Sequence, residues 1–265
     1  MKGLVVLLSD FGVRDPYVGQ MKGSIVSIAN ECRVIDLCHD IEPFNLPQAG
    51  FYLLVSRQYF PESAVFVAVV DPGVGGNRRI ICLEADGRIF LAPDNGLLSL
   101  LLAESANLSA FDLTPAVEGE VASSTFHGRD IFAPLAARLA RGEPPEELGT
   151  ELPVDTLTRL PWTEPSQSED RLVVHVLHTD RFGNLILNAK NDPWHGRLQA
   201  WPSIRMTAPL PLAITPTRSY CELPPRTLGL FRGSQGYLEL ALNRDSAATL
   251  LNVTPGLQIE LTPGA

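Results

Sequence analysis

The first 160 residues alternate short apolar runs with segments in which apolar residues recur at helical spacing. The short runs predict strands at residues 4–8, 34–37, 65–70, 80–83 and 89–92. The helical spacing predicts helices at residues 17–29, 46–59, 96–104 and 131–141, the second of them with Asn45 as its N-cap. Strands that alternate with helices predict an α/β N-terminal domain with a largely parallel central sheet, over residues 1–160.

The pattern changes after residue 160. Residues 161–170 read Pro-Trp-Thr-Glu-Pro-Ser-Gln-Ser-Glu-Asp, a polar stretch with two prolines that is typical of an interdomain linker. Short alternating runs follow, with glycine and proline between them, at residues 172–177, 185–187, 228–231, 237–242 and 258–261. We therefore predict a smaller all-β C-terminal domain over residues 171–265, either a barrel or a sandwich.

Composition and charge narrow the classes of function. The chain has 265 residues, of which 45% are hydrophobic, and this is enough for a substantial core. A formal net charge of -9 without any basic run argues against binding to nucleic acid or to an anionic membrane. The apolar run at residues 4–8 is too short for a signal peptide or a membrane span. The four cysteines are scattered, without metal-ligand spacing, as expected for reduced thiols in a cytoplasmic protein.

Polar residues follow several predicted strands, and open α/β sheets bind ligands at the carboxyl ends of their strands. Asp10 comes directly after the first strand. Its carboxylate could accept hydrogen bonds from a ribose diol, or it could cap the next helix. His39 and Asp40 follow the second strand, as a catalytic dyad or as a structural pair. Phe44 could stack on a base or simply pack.

A glycine-rich loop, residues 71–79, follows the most apolar strand. Its glycines allow close approach of backbone to a ligand, and the loop matches neither GxGxxG nor the P-loop, so a nucleoside triphosphate is not indicated. The loop contains three charged residues, Asp71, Arg78 and Arg79. A turn with a purely structural role is therefore the weaker interpretation. Further along, Asp94 or Asn95 would cap a helix.

Three other segments carry candidate chemistry. His127 lies in Thr-Phe-His-Gly-Arg-Asp, and histidine is the natural proton carrier near neutral pH. In the second domain, residues 180–184 offer a carboxylate, an aromatic ring and an amide, on Asp180, Phe182 and Asn184. Ser234 precedes a predicted strand. By pattern alone the last two segments could be ordinary β-turns.

Taken in order, these segments resemble the S-adenosyl-L-methionine hydroxide adenosyltransferase family, which is related to bacterial fluorinase and chlorinase. The resemblance spans residues 4 to about 248. The matching motifs are Ser-Asp-Phe-Gly (9–12), His-Asp (39–40), Asp-Pro-Gly-Val-Gly (71–75) with Arg78, Pro-Asp-Asn-Gly (93–96), Phe-His-Gly-Arg-Asp (126–130), Phe-Gly-Asn (182–184) and Gly-Tyr-Leu-Glu (236–239). Each motif is weak alone, but the ordered set is specific.

The resemblance implies an N-terminal α/β domain, a C-terminal β-barrel and a homotrimer. It implies that the ligand binds between the N-terminal domain of one subunit and the C-terminal domain of its neighbour. The implied reaction converts S-adenosylmethionine and water to adenosine and L-methionine, without a cofactor, because S-adenosylmethionine is itself the substrate.

The resemblance also assigns roles to residues. Asp71, Arg78 and His127 would hold and activate the water, and Asp10 would bind the ribose hydroxyls. A carboxylate and an imidazole can orient water and take its proton while a guanidinium favours the hydroxide-like charge. The sequence leaves open which of Asp71 and His127 takes the proton, and Arg79 competes with Arg78. The expected substrate-binding residues of the second domain, for the adenine or the methionine part, are Asp180, Phe182, Asn184, Tyr220 and Ser234, and Tyr220 and Phe44 would stack on the base.

Three rival functions remain from the sequence. Halide-using relatives carry tyrosines in place of Asp71 and His127 and a long insertion after the arginine segment, so a halide adenosyltransferase is the less favoured enzyme. A sensor that binds adenosine or S-adenosylmethionine without turnover would have no use for the acid, base and guanidinium set. A structural scaffold would require every matching segment to be a turn or a cap.

Overall fold

The computed structural model describes residues 3–117, 123–168, 170–254 and 256–264. The chain divides into two compact units, Met1–Leu160 and Pro161–Ala265. Each unit has its own buried apolar core. The short strand Ser166–Ser168 lies inside the stretch that the sequence indicates as a linker.

The described part of the first unit contains one seven-stranded sheet, in the order β2-β1-β3-β5-β4-β6-β7. Its strands are β1 Leu4–Ser9, β2 Arg33–Cys38, β3 Ala64–Val69, β4 Ile80–Ala85, β5 Arg88–Pro93, β6 Leu108–Asp112 and β7 Thr150–Leu152. Parallel pairing joins β2, β1, β3 and β5, whereas β4 and β7 run against their neighbours. The largely parallel sheet predicted from the sequence is confirmed.

Helices of the first unit connect these strands. They are α1 Tyr17–Ile28, α2 Leu46–Ser56, α3 Ser99–Glu104, α4 Ala133–Ala140 and α5 Pro145–Leu148, and one π-helical turn, Gly128–Phe132, leads into α4. The predicted N-cap of α2 is confirmed, because the Asn45 side chain accepts a hydrogen bond from the Gln48 amide. The expected cap of α3 is wrong: α3 begins three residues later than expected, after Leu98, and no side chain caps it.

The register of the sheet determines where the candidate residues of this unit emerge. Ser9, the last residue of β1, is paired with Val69, the last residue of β3. The segments that carry Asp10 and Asp71 therefore leave the sheet at the same edge, at the carboxyl ends of two adjacent parallel strands. This edge is where open α/β sheets bind their ligands.

The second unit is a β-barrel, which settles the choice between barrel and sandwich. Within its described residues, seven strands follow the order β10-β14-β13-β12-β11-β15-β9, and pairing of β9 with β10 closes the ring. The strands are β8 Ser166–Ser168, β9 Arg171–Thr179, β10 Leu185–Lys190, β11 Ile204–Ala208, β12 Leu212–Pro216, β13 Leu228–Arg232, β14 Tyr237–Leu242 and β15 Gln258–Pro263. Strand β8 lies outside the ring, on β9. Two helices, α6 Asn191–Gln199 and α7 Ala247–Leu251, complete the unit.

Side chains alternate along the strands, and those that point inward fill the interior of the barrel. On β9, Leu172, Val174 and Val176 are buried and belong to the core, as expected for a strand with one face turned inward.

In the part of the chain that the structure describes, no helix combines the length and apolar character needed to cross a membrane.

Candidate active site

The first unit has a cavity of about 320 Å³ at the carboxyl edge of the sheet, which we call the N-terminal cavity. Four of the residues selected from the sequence line it: Asp10, Phe44, Asp71 and His127. Arg78 is joined to two of these four by hydrogen bonds. The structure therefore brings together, within one unit, all five residues to which the resemblance gave a role in the first domain.

Arg78 is the centre of a three-residue cluster. Its Nε and Nη2 atoms donate to Asp71 Oδ2 over 2.8 and 2.6 Å. The same Nη2 atom lies 2.8 Å from His127 Nδ1. Both partners of the ion pair are well shielded from solvent, with 10% of the Arg78 side chain and 3% of the Asp71 side chain exposed. Burial of this kind strengthens the interaction of fixed charges with any group in the cavity.

The glycine-rich loop brings Asp71 and Arg78 toward the segment that contains His127. Gly75 has a φ of +78° and approaches Ser124 so closely that an added Cβ would lie 2.4 Å from the Ser124 carbonyl oxygen. Only glycine fits this position without a shift of the backbone. The loop also turns on itself, since the Gly73 amide donates to Asp71 Oδ1 over 3.2 Å.

The Arg78 contact determines the protonation of the His127 ring. A guanidinium group only donates hydrogen bonds, so His127 Nδ1 must be the acceptor and the neutral ring carries its proton on Nε2. Burial lowers the pKa of His127, the Arg78 charge lowers it further, and the charges of Asp71 and Asp130 oppose the shift. The ring is therefore neutral near pH 7.

Arg79, the competitor of Arg78, points to a different set of partners. Its Nε donates to Asp94 Oδ2 over 2.8 Å, and its Nη2 donates to the Thr156 carbonyl oxygen over 2.6 Å. The structure thus places Arg78 in the cluster. Arg79 instead forms an ion pair with Asp94, which the sequence indicated as a possible helix cap.

Asp10 lies at the end of β1 and orders the backbone of Phe44. The Phe44 amide donates to Asp10 Oδ2 over 3.1 Å, and Phe44 has a φ of +64° with 64% of its surface exposed. Burial raises the pKa of the Asp10 carboxyl, the Phe44 amide opposes that rise, and the charge of Asp71 adds to it. Asp10 does not cap α1, because Pro16 occupies the N-cap position and no side chain bonds there.

The His39–Asp40 pair is not a dyad in this structure. His39 is buried, its Nδ1 lies 2.7 Å from Ser9 Oγ, and its Nε2 lies 3.1 Å from Asp36 Oδ1. Lys22 in turn donates to Asp36 over 2.6 Å. His39 therefore has a structural role, holding the end of β1 that carries Asp10.

The N-terminal cavity has an aromatic wall, which the sequence indicated only in part, through the aromatic residue beside His127. The rings of Phe11, Tyr17 and Phe126 meet edge to face, with centroids 5.1 to 6.1 Å apart. The signal was present in the motifs, since Phe11 follows Asp10 and Phe126 precedes His127. Such a wall limits the access of water to the polar groups beside it.

The second unit has a larger cavity of about 680 Å³, which we call the C-terminal cavity. All the candidates selected in the second domain line it: Asp180, Phe182, Asn184, Tyr220 and Ser234. Asp180 Oδ1 accepts from the amides of Phe182 and Asn184, each over 2.9 Å. The β-turn interpretation of this segment is therefore correct locally, and the turn also presents an exposed Phe182 ring at the cavity.

A hydrogen-bonded chain crosses the wall of the C-terminal cavity. Asn184 Nδ2 donates to Asp180 Oδ2 over 2.9 Å and reaches the Tyr220 hydroxyl over 3.3 Å. The Tyr220 hydroxyl donates to Glu239, a residue that sequence reasoning did not select. Its signal was the Gly-Tyr-Leu-Glu motif, in which a glutamate interrupts an otherwise apolar strand.

These features define a class of protein: an α/β domain followed by a β-barrel, with an Asp-Arg-His cluster at the sheet edge and a separate aromatic cavity in the barrel. Family comparison gives the same two parts. The SAM hydroxide adenosyltransferase N-terminal domain matches residues 5–149, and the SAM hydroxide adenosyltransferase C-terminal domain matches residues 174–260. The chain belongs to this family.

Individual relatives agree over the whole chain. A protein of Thermus thermophilus named (R)-S-adenosyl-L-methionine hydrolase is 40% identical, over 97% of this chain and 98% of its own. A fluorinase of Nocardia brasiliensis is 28% identical, over 98% of this chain and 97% of its own. The crystal structure of an uncharacterized conserved protein from Thermotoga maritima superposes with a TM-score of 0.85 at 31% identity, over 97% of this chain and 99% of that one.

Proposed function

We propose that this protein hydrolyses S-adenosyl-L-methionine to adenosine and L-methionine. The observation that carries the proposal is the cluster of Asp71, Arg78 and His127 in a cavity that also contains Asp10. Relatives named as hydrolases of this substrate match the full length of the chain, and the fluorinase is less similar.

The chemistry requires an activated water more than an acid. Attack at the ribose C5′ displaces neutral methionine, which leaves without protonation, and no cofactor is needed. Water, in contrast, must lose a proton as its oxygen bonds to carbon. Fixed charges that already surround the water position reduce the cost of that change, because they need no rearrangement in the transition state.

The hydrogen bonds of the cluster favour a division of labour. His127 Nδ1 is already an acceptor for Arg78, so its Nε2–H is a donor that orients the water oxygen. Asp71 retains lone pairs beyond those used by Arg78 and Gly73, so its carboxylate is the better proton acceptor. Arg78 stabilises the carboxylate and keeps the imidazole neutral.

Asp10 fits the ribose. Its Oδ2 already accepts from the Phe44 amide, and the remaining lone pairs suit the two hydroxyls of a ribose diol. The exposed Phe44 ring, held beside it, offers a face for the adenine base.

We further propose a homotrimer in which the N-terminal cavity of one subunit and the C-terminal cavity of its neighbour hold one substrate together. The exposed rings of Phe44 and Phe182, 64% and 78% accessible, suit surfaces that become covered on assembly. Mixing an Asp71→Asn protein with an Asn184→Ala protein tests this directly. Composite sites recover part of the wild-type activity on subunit exchange, whereas sites confined to one chain do not.

Hydrolysis is tested with purified protein, S-adenosylmethionine and ¹⁸O-labelled water. Adenosine that carries one ¹⁸O at its 5′-hydroxyl is the expected product. The two sulfonium epimers are supplied separately, because the Thermus thermophilus relative is named for the (R) form. Binding without any adenosine would establish a sensor instead.

A halide adenosyltransferase is the second enzyme to test. The charged Asp71 and Arg78 side chains disfavour it, since a halide pocket must remove water from the anion without placing a carboxylate beside it. Incubation in chloride with analysis for 5′-chloro-5′-deoxyadenosine distinguishes the two reactions.

The proposed setting is the cytoplasm, without nucleic acid or membrane as a partner. The four cysteines are free thiols, which is their usual state in that compartment. The net charge of -9 agrees with a small-molecule substrate.

A further inference from the structure

Glu239 is a charged side chain in the wall of the C-terminal cavity. It lies on β14, where the register places it beside Phe231 of β13 and Ile186 of β10. Burial raises the pKa of its carboxyl, the hydrogen bond from Tyr220 opposes the rise, and the charge of Asp180 adds to it. An apolar residue would fill this position without the cost of removing a carboxylate from water. Packing alone therefore does not explain a charged residue here.

Glu239 is one end of a chain of hydrogen bonds whose directions are all determined. An ionised carboxylate only accepts, so the Tyr220 hydroxyl points its hydrogen at Glu239. The Tyr220 oxygen then accepts from Asn184 Nδ2 over 3.3 Å. The second hydrogen of that amide goes to Asp180 Oδ2 over 2.9 Å. The two carboxylates therefore orient both neutral groups between them.

This orientation decides what the wall offers to a ligand. Both amide hydrogens of Asn184 are used within the chain, and none of the residues that the structure describes donates to its Oδ1. The Tyr220 hydrogen is held by Glu239. At this point the wall thus presents an acceptor and no available donor, so it suits a ligand group that donates.

Aromatic rings at the same cavity indicate the shape of that ligand. The Tyr220 ring lies 4.5 Å from the ring of Phe231, centroid to centroid, and the Phe182 ring is 78% exposed. Aromatic faces favour a planar heterocycle. The exocyclic amino group of adenine is a donor, whereas the oxo group of hypoxanthine at the same ring position is an acceptor.

We propose that Glu239 is a positioning residue that, by holding the Tyr220 hydroxyl, makes the C-terminal cavity select an amino-purine over an oxo-purine. This inference rests on the proposed function in one respect, since it takes adenine as the occupant of this cavity. Without the Glu239 carboxylate, the Tyr220 hydrogen can turn to the ligand and donate to an oxo group. The selection then weakens.

Calorimetric binding of adenosine and of inosine to the full-length protein tests the proposal without turnover. We expect the wild-type protein to bind adenosine at least about tenfold more tightly than inosine, a difference typical of one mismatched hydrogen bond in a shielded site. Glu239→Met should reduce the ratio to about threefold or less. Glu239→Gln is the matched control, because its amide oxygen still accepts from Tyr220 and should keep the wild-type ratio.

The pair of variants separates positioning from packing. Glutamine and methionine fill similar space, so Glu239→Gln and Glu239→Met differ mainly in whether the side chain accepts the Tyr220 hydrogen. Equal binding of adenosine and inosine by the wild-type protein would overturn the proposal, and so would equal ratios in Glu239→Gln and Glu239→Met. Thermal unfolding verifies that each variant is folded, and Glu239→Ala carries the same expectation if Glu239→Met does not fold. Because no step requires hydrolysis, failure of the proposed reaction would be seen separately.

Discussion

Arg78 donates to His127 Nδ1 over 2.8 Å with the same nitrogen that it directs at Asp71. The contact fixes which ring nitrogen carries the proton, and it joins a carboxylate, a neutral imidazole and a guanidinium into one unit. Groups that act as a unit lose function together when any member is removed.

Replacement of Arg78 should be severe, and replacement of Arg79 should not. Arg78→Lys keeps the charge but loses the planar guanidinium, which donates to Asp71 through two nitrogens while one of them also reaches His127, so kcat should fall by roughly 10²-fold or more. Arg79→Lys is the matched control, because Arg79 is bonded to Asp94 and Thr156 instead. Steady-state kinetics of both variants decides the matter, and an equal effect of the two would refute the central role of Arg78.

Asp71 and His127 should affect the rate of turnover more than the binding of substrate. Asp71→Asn removes the proposed proton acceptor, so we expect kcat to fall by about 10³-fold with a small change in KM. His127→Ala removes only a donor to the water, and its loss of kcat should be smaller, about 10²-fold. Single-turnover kinetics measures the chemical step directly.

The reverse order of these losses would make His127 the proton acceptor. Losses that appear in KM rather than kcat would instead show that both residues bind the substrate equally in the ground state and the transition state.

The pH dependence should show an acidic limb set by His127. Burial and the Arg78 charge hold its pKa below the usual value of 6.5. As the pH falls through that lowered pKa, Nδ1 gains a proton, the Arg78 hydrogen bond is lost and two cations face each other. We therefore expect kcat to be constant at neutral pH and to decline only as the pH falls below 6.5 and through the lowered pKa of His127.

Nuclear magnetic resonance titration of the His127 ring checks the cause. In Arg78→Met one lowering charge is gone while Asp71 and Asp130 still raise the pKa, so the His127 titration should move to higher pH. His195 is the internal reference, because the charges that act on it are those of Arg232 and Asp192. A His127 titration that does not move would show that burial alone lowers its pKa.

Much of the fold could be predicted because its local signals agree with its packing. The inner strands β1 and β3 of the parallel sheet are apolar runs buried on both faces, and a run such as residues 65–70 admits few other interpretations. Asn45 with Pro47 determines the start of α2 for local reasons.

The missed elements depend on distant partners. Strand β8 has the sequence Ser-Gln-Ser, all exposed, and exists because β9 offers it an edge. Strands β11 and β12 alternate only partly, since they complete a ring whose other members lie far away in sequence. The ring closes because β9 pairs with the distant strand β15 as well as with its neighbour in sequence, β10, and no local pattern encodes the pairing of β9 with β15.

The candidate site divides in the same way. Residue types in short motifs were enough to select Asp71 and His127, because their chemistry is read from the side chain itself. The choice of Arg78 over Arg79 depends on which direction each side chain takes from the loop, and the role of Glu239 depends on a hydroxyl from a segment 19 residues away. Such relations arise only from the folded chain.

Asp10 should be needed for binding of the substrate rather than for the chemical step. Its carboxylate is placed to accept from the ribose diol and already orders Phe44 through the amide hydrogen bond of 3.1 Å. Asp10→Ala removes both effects, so KM should rise by roughly tenfold or more while kcat changes less. Asp15, exposed on the same connection to α1, supplies the control variant Asp15→Ala, which should resemble the wild-type protein.

A comparison of adenosine with 2′,3′-dideoxyadenosine separates the two effects of Asp10. Loss of the hydroxyls should weaken binding to the wild-type protein but make little difference to Asp10→Ala, because the partner of those hydroxyls is already gone. If the variant still discriminates between the two nucleosides as strongly as the wild-type protein, then Asp10 acts only by ordering Phe44 and another group binds the ribose.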